Sequence, residues 1–319
     1  GLATRIHHRL GDVRNLEDVR DAVAKSQPDF IFHLAAQPLV RLSYEQPVET
    51  YATNVQGTVH VLEAARLAAR PCTVVAITTD KCYENQEWVH SYREVDPLGG
   101  YDPYSSSKGA AELVIAAYRR SYFSAPTSPV RLASARAGNV IGGGDWARDR
   151  IVPDCIRALQ NDAPIIVRNK SATRPWQHVL EPLSGYLWLG ARIHQAEVSQ
   201  DKDAVTRLAS AFNFGPDLSA NRTVAQLVEE LLRHWPGRWE DRSPPNAPHE
   251  AQTLHLSIDK AHHLLGWSPT WSFTEAIART AHWYRDTLAD PTTQAAKLTL
   301  AQISDYTEAA RRAGAMWVA

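Results

Sequence analysis

Tyr104 and Lys108 stand four residues apart in the run Tyr-Ser-Ser-Ser-Lys, a spacing that puts both side chains on one face if the segment is helical. A free phenol titrates near ~10, so turning it into a base close to neutrality costs about 4 kcal/mol at about 1.36 kcal/mol per unit. An ammonium about 4 Å away, at an effective dielectric of about 20, supplies a term of that size. The pair could therefore take a proton from an alcohol, although the spacing is common and an ordinary helical Tyr and Lys is its bland reading. A second group gives it weight. Thr78-Thr79-Asp80-Lys81 closes an apolar β-type run about two dozen residues upstream, His33-Leu-Ala-Ala-Gln37 closes an earlier one, and Asn54 sits in the helical stretch between them.

The elements that must position these groups are legible as pattern. Apolar runs at 29–36, 73–79 and 129–137 read as strands buried on both faces of a parallel sheet, and helical periodicity occupies 15–25, 47–69 and 104–122. Strand and helix alternate, which predicts an α/β fold with a Rossmann-like doubly wound parallel sheet whose strand carboxyl ends bind the ligand. After about Asn139 the pattern turns to a glycine-rich loop, short helices and isolated strands at 165–168 and 211–214. The expected division is therefore 1–145 for the sheet domain, receiving also about 178–215, and 146–319 for a smaller α/β substrate-binding lobe. A Pro-rich stretch at 243–248 reads as a surface loop, and no fixed-period repeat is present. No glycine-rich phosphate-binding turn precedes Gly11, so the chain is expected to lack the first strand, helix and second strand of such a sheet.

Composition excludes several function classes. Lys plus Arg (34) nearly balances Asp plus Glu (35) over 319 residues, leaving no field of one sign for nucleic acid or an anionic membrane. Cys72, Cys82 and Cys155 lie far apart, without disulfide or zinc spacing, which fits a reducing cytoplasm. No apolar run approaches the ~20 residues of a membrane span, and the first residues lack the blocks of a signal peptide. The histidine pairs His7-His8 and His262-His263 are adjacent in sequence and lack metal-ligand spacing, so no metal is expected.

Taken in order, the motifs resemble the extended short-chain dehydrogenase/reductase family. Thr79-Asp80-Lys81-Cys82-Tyr83 is similar to the active-site segment of its sugar-nucleotide 4,6-dehydratases. Relatives acting on dTDP-glucose or GDP-mannose place glutamate after the aspartate, whereas lysine here is similar to the CDP-glucose subgroup. Arg136-Ala-Gly-Asn-Val-Ile-Gly-Gly-Gly-Asp-Trp146, Asp149-Arg-Ile-Val-Pro153 and Arg174-Pro-Trp-Gln-His-Val-Leu-Glu-Pro182 match that subgroup too.

The resemblance implies an NAD-dependent lyase. It would convert CDP-D-glucose to CDP-4-dehydro-6-deoxy-D-glucose and water by C4 oxidation, elimination across C5 and C6, and hydride return to C6, in deoxysugar or surface-polysaccharide synthesis. Tyr104 would take the 4-hydroxyl proton with Thr79 bonding the same oxygen, and Lys108 would hold the cofactor ribose. Asp80, kept protonated by burial, would donate to the leaving 6-hydroxyl, and Lys81 would act as C5 base or enolate stabiliser unless it merely tethers Asp80. For the cofactor the resemblance implies Asp12 and Val13 at the adenine edge, Leu34, Ala35 and Ala36 along the pyrophosphate and ribose, and Asn54, Thr78 and Arg136. Leu34 to Ala36 read equally as buried strand, Asn54 as a satisfied core amide and Asp12 as a turn or helix-cap carboxylate. For the substrate it implies Gln37, Asn139, Arg148, Arg157, Arg174, Trp176 and His249, the arginines otherwise serving as surface ion pairs and Trp176 as core. Helices 47–69 and 104–122, the latter carrying Ala110, Ala111, Ala116 and Ala117, are expected to pair with a second copy in a homodimer or dimer of dimers. An epimerase or reductase of the same fold, or an inactive fragment, is the competing reading.

Overall fold

The side chain of Asn15 accepts a hydrogen bond from the backbone N–H of Glu17 at 3.1 Å and so opens the first helix, α1 (Leu16–Ser26). In the computed structural model, which describes residues 4–125, 127–243, 253–288 and 291–318, the chain continues through β1 (Phe30–His33), α2 (Val40–Glu45) and α3 (Pro47–Tyr51). A π turn (Ala52–Gln56) leads into α4 (Gly57–Ala68), followed by β2 (Cys72–Ile77), a 3-10 turn (Asp80–Cys82), α5 (Pro103–Tyr118) and β3 (Val130–Arg136). Then come β4 (Val140–Ile141), α6 (Ile151–Gln160), β5 (Ile165–Val167), β6 (Thr173–Pro175), β7 (Gln177–His178), α7 (Leu180–Val198), α8 (Lys202–Leu208) and β8 (Ala211–Asn213). The remainder is β9 (Asn221–Thr223), α9 (Val224–His234), β10 (Trp239–Asp241), α10 (Asp259–Leu265), α11 (Phe273–Thr287) and α12 (Pro291–Arg312).

These elements form two units. The first takes the described residues up to Glu84, Pro97–Arg136 and Leu189–Phe212. Its sheet runs β1-β2-β3-β8, with β1, β2 and β3 parallel and Val74 opposite both Ile31 and Leu132. Because the strands are parallel, His33, Ile77 and Arg136 all end on one edge, and the N–H of Thr78 extends the ladder to Ala135 O at 2.9 Å. Leu62, Val74, Ile115 and Leu132 fill the interior between sheet and helices. The apolar run at 29–36 shortens to four residues. Among the described residues β1 pairs with β2 alone, so Phe30 stays 37% exposed and the chain leaves the sheet after His33, making Leu34 53% exposed rather than buried strand. The helical stretch 47–69 is broken in register by the π turn, and 104–122 ends in a second one at Arg119–Phe123.

The second unit takes Asn85–Asp96, Ala137–Trp188 and the described residues from Asn213 on. It therefore holds 137–145 and 85–96, which the sequence pattern groups with the sheet. The turn is made at Asn139, in the left-handed region at φ 53°, where asparagine is tolerated better than most residues, and it feeds β4 into a parallel pair with β7. Leu227, Val228 and Leu231 on α9 pack with Ile156, Ile165, Ile277 and Tyr284 into this unit's core. Capping boxes at Thr223/Gln226 and Ser272/Glu275 start α9 and α11. Residues 244–252, including most of the Pro-rich stretch and His249, lie outside the described residues.

Candidate active site

The turn after β2 is built by its own side chains. Thr79 caps it, accepting from the N–H of Lys81 at 3.4 Å while its hydroxyl donates to Asp80 Oδ1 at 2.8 Å. Asp80 is 2% exposed and Lys81 half-buried. The turn packs directly on α5. A Cβ added at Gly109 would come within 2.5 Å of Gly99 O and 3.2 Å of Cys82 O, so glycine there is what lets the turn approach the helix.

Three serines between Tyr104 and Lys108 fix the start of α5. Asp102 caps the helix through the N–H of Ser105 at 2.9 Å and accepts that residue's hydroxyl at 2.6 Å. Ser106 Oγ meets Tyr51 OH at 2.5 Å, and Ser107 accepts from Asn54 Nδ2 at 2.8 Å while donating to Tyr104 O at 2.7 Å. The N–H of Tyr104 itself donates to Ser43 Oγ at 3.1 Å. Tyr104 and Lys108 are thereby held, both nearly buried, by α2, α3 and the π turn. Among the described residues Lys108 Nζ makes one long hydrogen bond, 3.4 Å, to Ile77 O at the carboxyl end of β2. Burial pulls its pKa down to about 8, against the opposing charge of Glu112.

Behind this pair lies an ion pair that the sequence reading missed. Glu112 accepts from Thr78 Oγ1 at 2.5 Å, Ser134 Oγ at 2.9 Å and Arg136 Nη2 at 2.8 Å. Burial pushes its carboxyl up, but the Arg136 guanidinium and the two hydroxyls outweigh that and hold it below the usual range. Arg136 also donates to Tyr83 OH at 2.7 Å and lies over that ring. The Thr78 hydroxyl and the Arg136 Nη groups, both expected from the resemblance near the cofactor, make these hydrogen bonds inside the unit. The available signal for Glu112 was its position, four residues after Lys108.

Around the carboxyl end of β1 the candidate residues are held by local hydrogen bonds. Asn54, at the centre of the π turn, accepts the N–H of Gln37 at 2.8 Å and donates to Gln37 O at 3.0 Å and to Ser107. Gln37 donates to Thr50 Oγ1 at 2.8 Å and Leu39 O at 3.2 Å, and accepts from Leu39 N–H at 2.6 Å. The Asn54 side chain thus braces the backbone of Gln37, and the Gln37 side chain is held by Thr50 and Leu39. Leu34 and Ala35 remain exposed and Ala36 half-buried just beyond the strand end. Val13 is half-buried, its carbonyl 2.8 Å from His60 Nδ1 and its side chain against Gly57. Asp12 is an exposed turn carboxylate paired with Arg14 at 2.6 Å, whose hydrogen bonds hold it at about 2.

In the second unit the sequence candidates part company. Arg157 donates to Trp146 O, Ala147 O and Asp154, which makes it a brace of the 145–150 loop. Trp176 is packed in the core with Ile141 and Phe273 and donates to Arg222 O at 3.0 Å. Arg174 is buried on β6, with Nη1 donating to Thr173 O at 3.0 Å, and Asn139 O accepts from the N–H of Gln177 at 3.3 Å. Arg148 is exposed, with no partner among the described residues. Among the described residues no helix is long and apolar enough to cross a membrane, and no three His, Cys, Asp or Glu side chains group as a metal site.

The model of the family described as GDP-mannose 4,6 dehydratase matches residues 2–280. A CDP-glucose 4,6-dehydratase of Salmonella typhimurium is 48% identical over 283 residues, covering 86% of this chain and 76% of that relative. A CDP-paratose 2-epimerase of Salmonella typhi is 26% identical over 294 residues, covering 86% and 82%. Among solved structures, the dTDP-glucose 4,6-dehydratase of Bacillus anthracis in complex with NAD has a TM-score of 0.71 at 20% identity, covering 88% of this chain and 80% of that one. The UDP-glucose 4-epimerase of Thermotoga maritima with UDP-glucose has 0.72 at 20% identity, covering 87% and 84%. Both share the Rossmann-like fold described above.

Proposed function

Since the chain belongs to the GDP-mannose 4,6 dehydratase family, we propose that it is an NAD-dependent nucleotide-sugar 4,6-dehydratase that turns CDP-D-glucose into CDP-4-dehydro-6-deoxy-D-glucose and water. The observation that carries the reading is the packing of the Thr79-Asp80-Lys81 turn onto the helix that holds Tyr104 and Lys108. The substrate is supported by the 48% identical relative that bears that name.

The donor set fits the cofactor. A buried ammonium with three donors and a long hydrogen bond suits a ribose diol beside a phenol, and Leu34 and Ala35, exposed, and Ala36, half-buried, follow the carboxyl end of β1, where doubly wound sheets receive a pyrophosphate. Tyr104 and Lys108 would hold the nicotinamide ribose, Leu34 to Ala36 the pyrophosphate, and Asp12 and Val13 the adenine side. When bound, the nicotinamide supplies a hydride acceptor at C4 and a donor at C6. Tyr104 removes the proton of the sugar 4-hydroxyl, with the Lys108 charge stabilising the phenolate. Once C4 is a ketone the C5 proton is acidic, and Lys81 takes it or steadies the enolate. Asp80 delivers a proton to the departing 6-hydroxyl, and Thr79, whose hydroxyl donates to Asp80, turns toward the sugar 4-oxygen. For the second unit taken by itself, Arg174, Arg148, Arg157 and Asn139 are the candidates for a nucleotide diphosphate, which guanidinium forks suit.

The same reading places the enzyme in the cytoplasm, supplying deoxysugar for surface polysaccharide. It also makes it a homodimer or dimer of dimers, which exposed Leu67, Leu113 and Tyr122 on and after α4 and α5 support. The test is incubation with NAD and CDP-, dTDP-, GDP- and UDP-hexoses. A 4-keto-6-deoxy sugar from CDP-glucose is the expected product. An epimer with its 6-hydroxyl intact would replace the dehydratase reading, and preference for another donor would replace the substrate.

A further inference from the structure

Keeping a charge on Lys108 is unfavourable where it sits: the side chain is 6% exposed, and its one hydrogen bond among the described residues is long. An opposite charge must offset that, and the residue one helical turn on is Glu112. The strand register assembles the rest. β2 delivers Thr78 and β3 delivers Ser134 and Arg136 to the same carboxylate, which is itself 2% exposed. Arg136 is therefore not merely a neighbour; its charge is what allows Glu112 to be ionised in the interior.

We propose that Glu112 is a positioning residue for the reactive pair: locked in its ionised form by Arg136, Thr78 and Ser134, its carboxylate keeps the Lys108 side chain charged and Tyr104 in service as a base. The inference rests on the Tyr104–Lys108 assignment above. Further groups face the cluster among the described residues. His33, at the end of β1, is pulled down to about 4 by burial and by the Lys108 charge and stays neutral. The Cys82 thiol on the 3-10 turn is pushed up by burial, and Arg119, lowered to about 10 by burial, stays charged with Nε on Leu132 O at 2.9 Å. Tyr83 OH accepts from Arg136, and Asp80 accepts from Thr79.

Removing a fixed negative charge makes every nearby proton easier to lose. In Glu112→Gln the limbs of the pH profile set by Tyr104 and Lys108 therefore both move toward acid, by ~1 unit or more, so activity on the alkaline side falls about ten-fold relative to the acid side. The titration of Lys108 is read separately by NMR of 13C-labelled lysine in the protein without ligands, its signal assigned with Lys108→Met. We expect that signal to titrate lower in Glu112→Gln by the same interval. Glu112→Asp, which keeps the charge but retracts it, should shift it less and also serves if the glutamine variant does not fold. A Lys108 titration unmoved in both variants, with turnover merely scaled down, overturns the proposal and makes Glu112 structural. Should Lys108→Met and Tyr104→Phe retain turnover, the catalytic assignment falls, and this inference with it. Should they abolish turnover while the Lys108 titration stays put, the inference alone falls.

Discussion

Two carboxyls are buried about equally deeply in this chain and are held in opposite ways. Glu112, in the first unit, accepts two hydroxyls and the Arg136 guanidinium. Glu181, on α7 in the second, is fully buried and accepts the N–H groups of Thr270 at 2.9 Å and Trp271 at 2.7 Å and the Tyr306 hydroxyl at 2.7 Å. Each accepts three hydrogen bonds, yet Glu112 is held below the ordinary carboxyl range and Glu181 is pushed up to about 7. Hydrogen bonds from neutral donors do not replace a counter-charge when burial is this complete. The unit with the candidate chemistry uses a charge pair, and the unit that anchors α12 through Tyr306 uses neutral donors.

The two regions should therefore respond to acid with opposite sign. Glu112, with its folded pKa depressed, contributes stability that is present above the unfolded value of 4.5 and is lost as pH falls through the folded one. Glu181, with its folded pKa raised, contributes stability that is full below 4.5 and is lost as pH rises toward 7. His178, pulled down to about 4 by burial and by the Arg279 charge, works against Glu181 on the acid side. Only differences between variants isolate one group.

The largest expected effect comes from breaking the charge pair. Glu112→Ala leaves Arg136 buried without its partner and should destabilise the protein by about 3–5 kcal/mol at neutral pH, read as a fall in the urea midpoint. A loss no larger than that of an exposed ion pair such as Arg20–Glu17 would show that water reaches Arg136 and would erase the contrast. Next is Glu181→Gln. The stability difference between wild type and this variant should decline by roughly 3 kcal/mol between pH 4.5 and 7, as the raised Glu181 proton is lost. A difference flat across that interval would mean that Glu181 titrates normally.

How much of this was readable beforehand depended on whether the chemistry was local. Tyr104 with Lys108, and Thr79 with Asp80 and Lys81, are each one short phrase, and the fold carries them on one helix and the turn packed against it. Glu112 was within the same helical phrase but meaningless without the β2–β3 register that brings Thr78, Ser134 and Arg136 to it from separate strands. The bracing of Gln37 by Asn54 was hidden for the same reason: nothing in the spacing says that the Asn54 side chain will meet the backbone of Gln37 across the loop after β1. Trp176 sits in a phrase that matches the family and Arg157 just after one, but the packing of the one and the loop hydrogen bonds of the other come from residues elsewhere in the sequence. The strand at 29–36 was overextended because apolar composition persists after pairing stops at His33.

The smallest effect discriminates most finely. Ser134→Ala and Tyr306→Phe each delete one hydroxyl donor from a buried carboxyl and leave the rest of the packing in place. Each should lower stability by about 1–2 kcal/mol, so the two variants look alike in a single unfolding experiment. Their pH dependence should not. Losing Ser134 leaves Arg136 on Glu112, and the carboxylate stays ionised across neutral pH. Losing Tyr306 removes one of only three groups that favour the ionised form of Glu181, so its titration should climb above about 7 and its pH-dependent contribution should persist further into the alkaline range. If instead the two substitutions shift their carboxyls equally, donor number rather than counter-charge governs both sites, and the distinction between the two units does not hold.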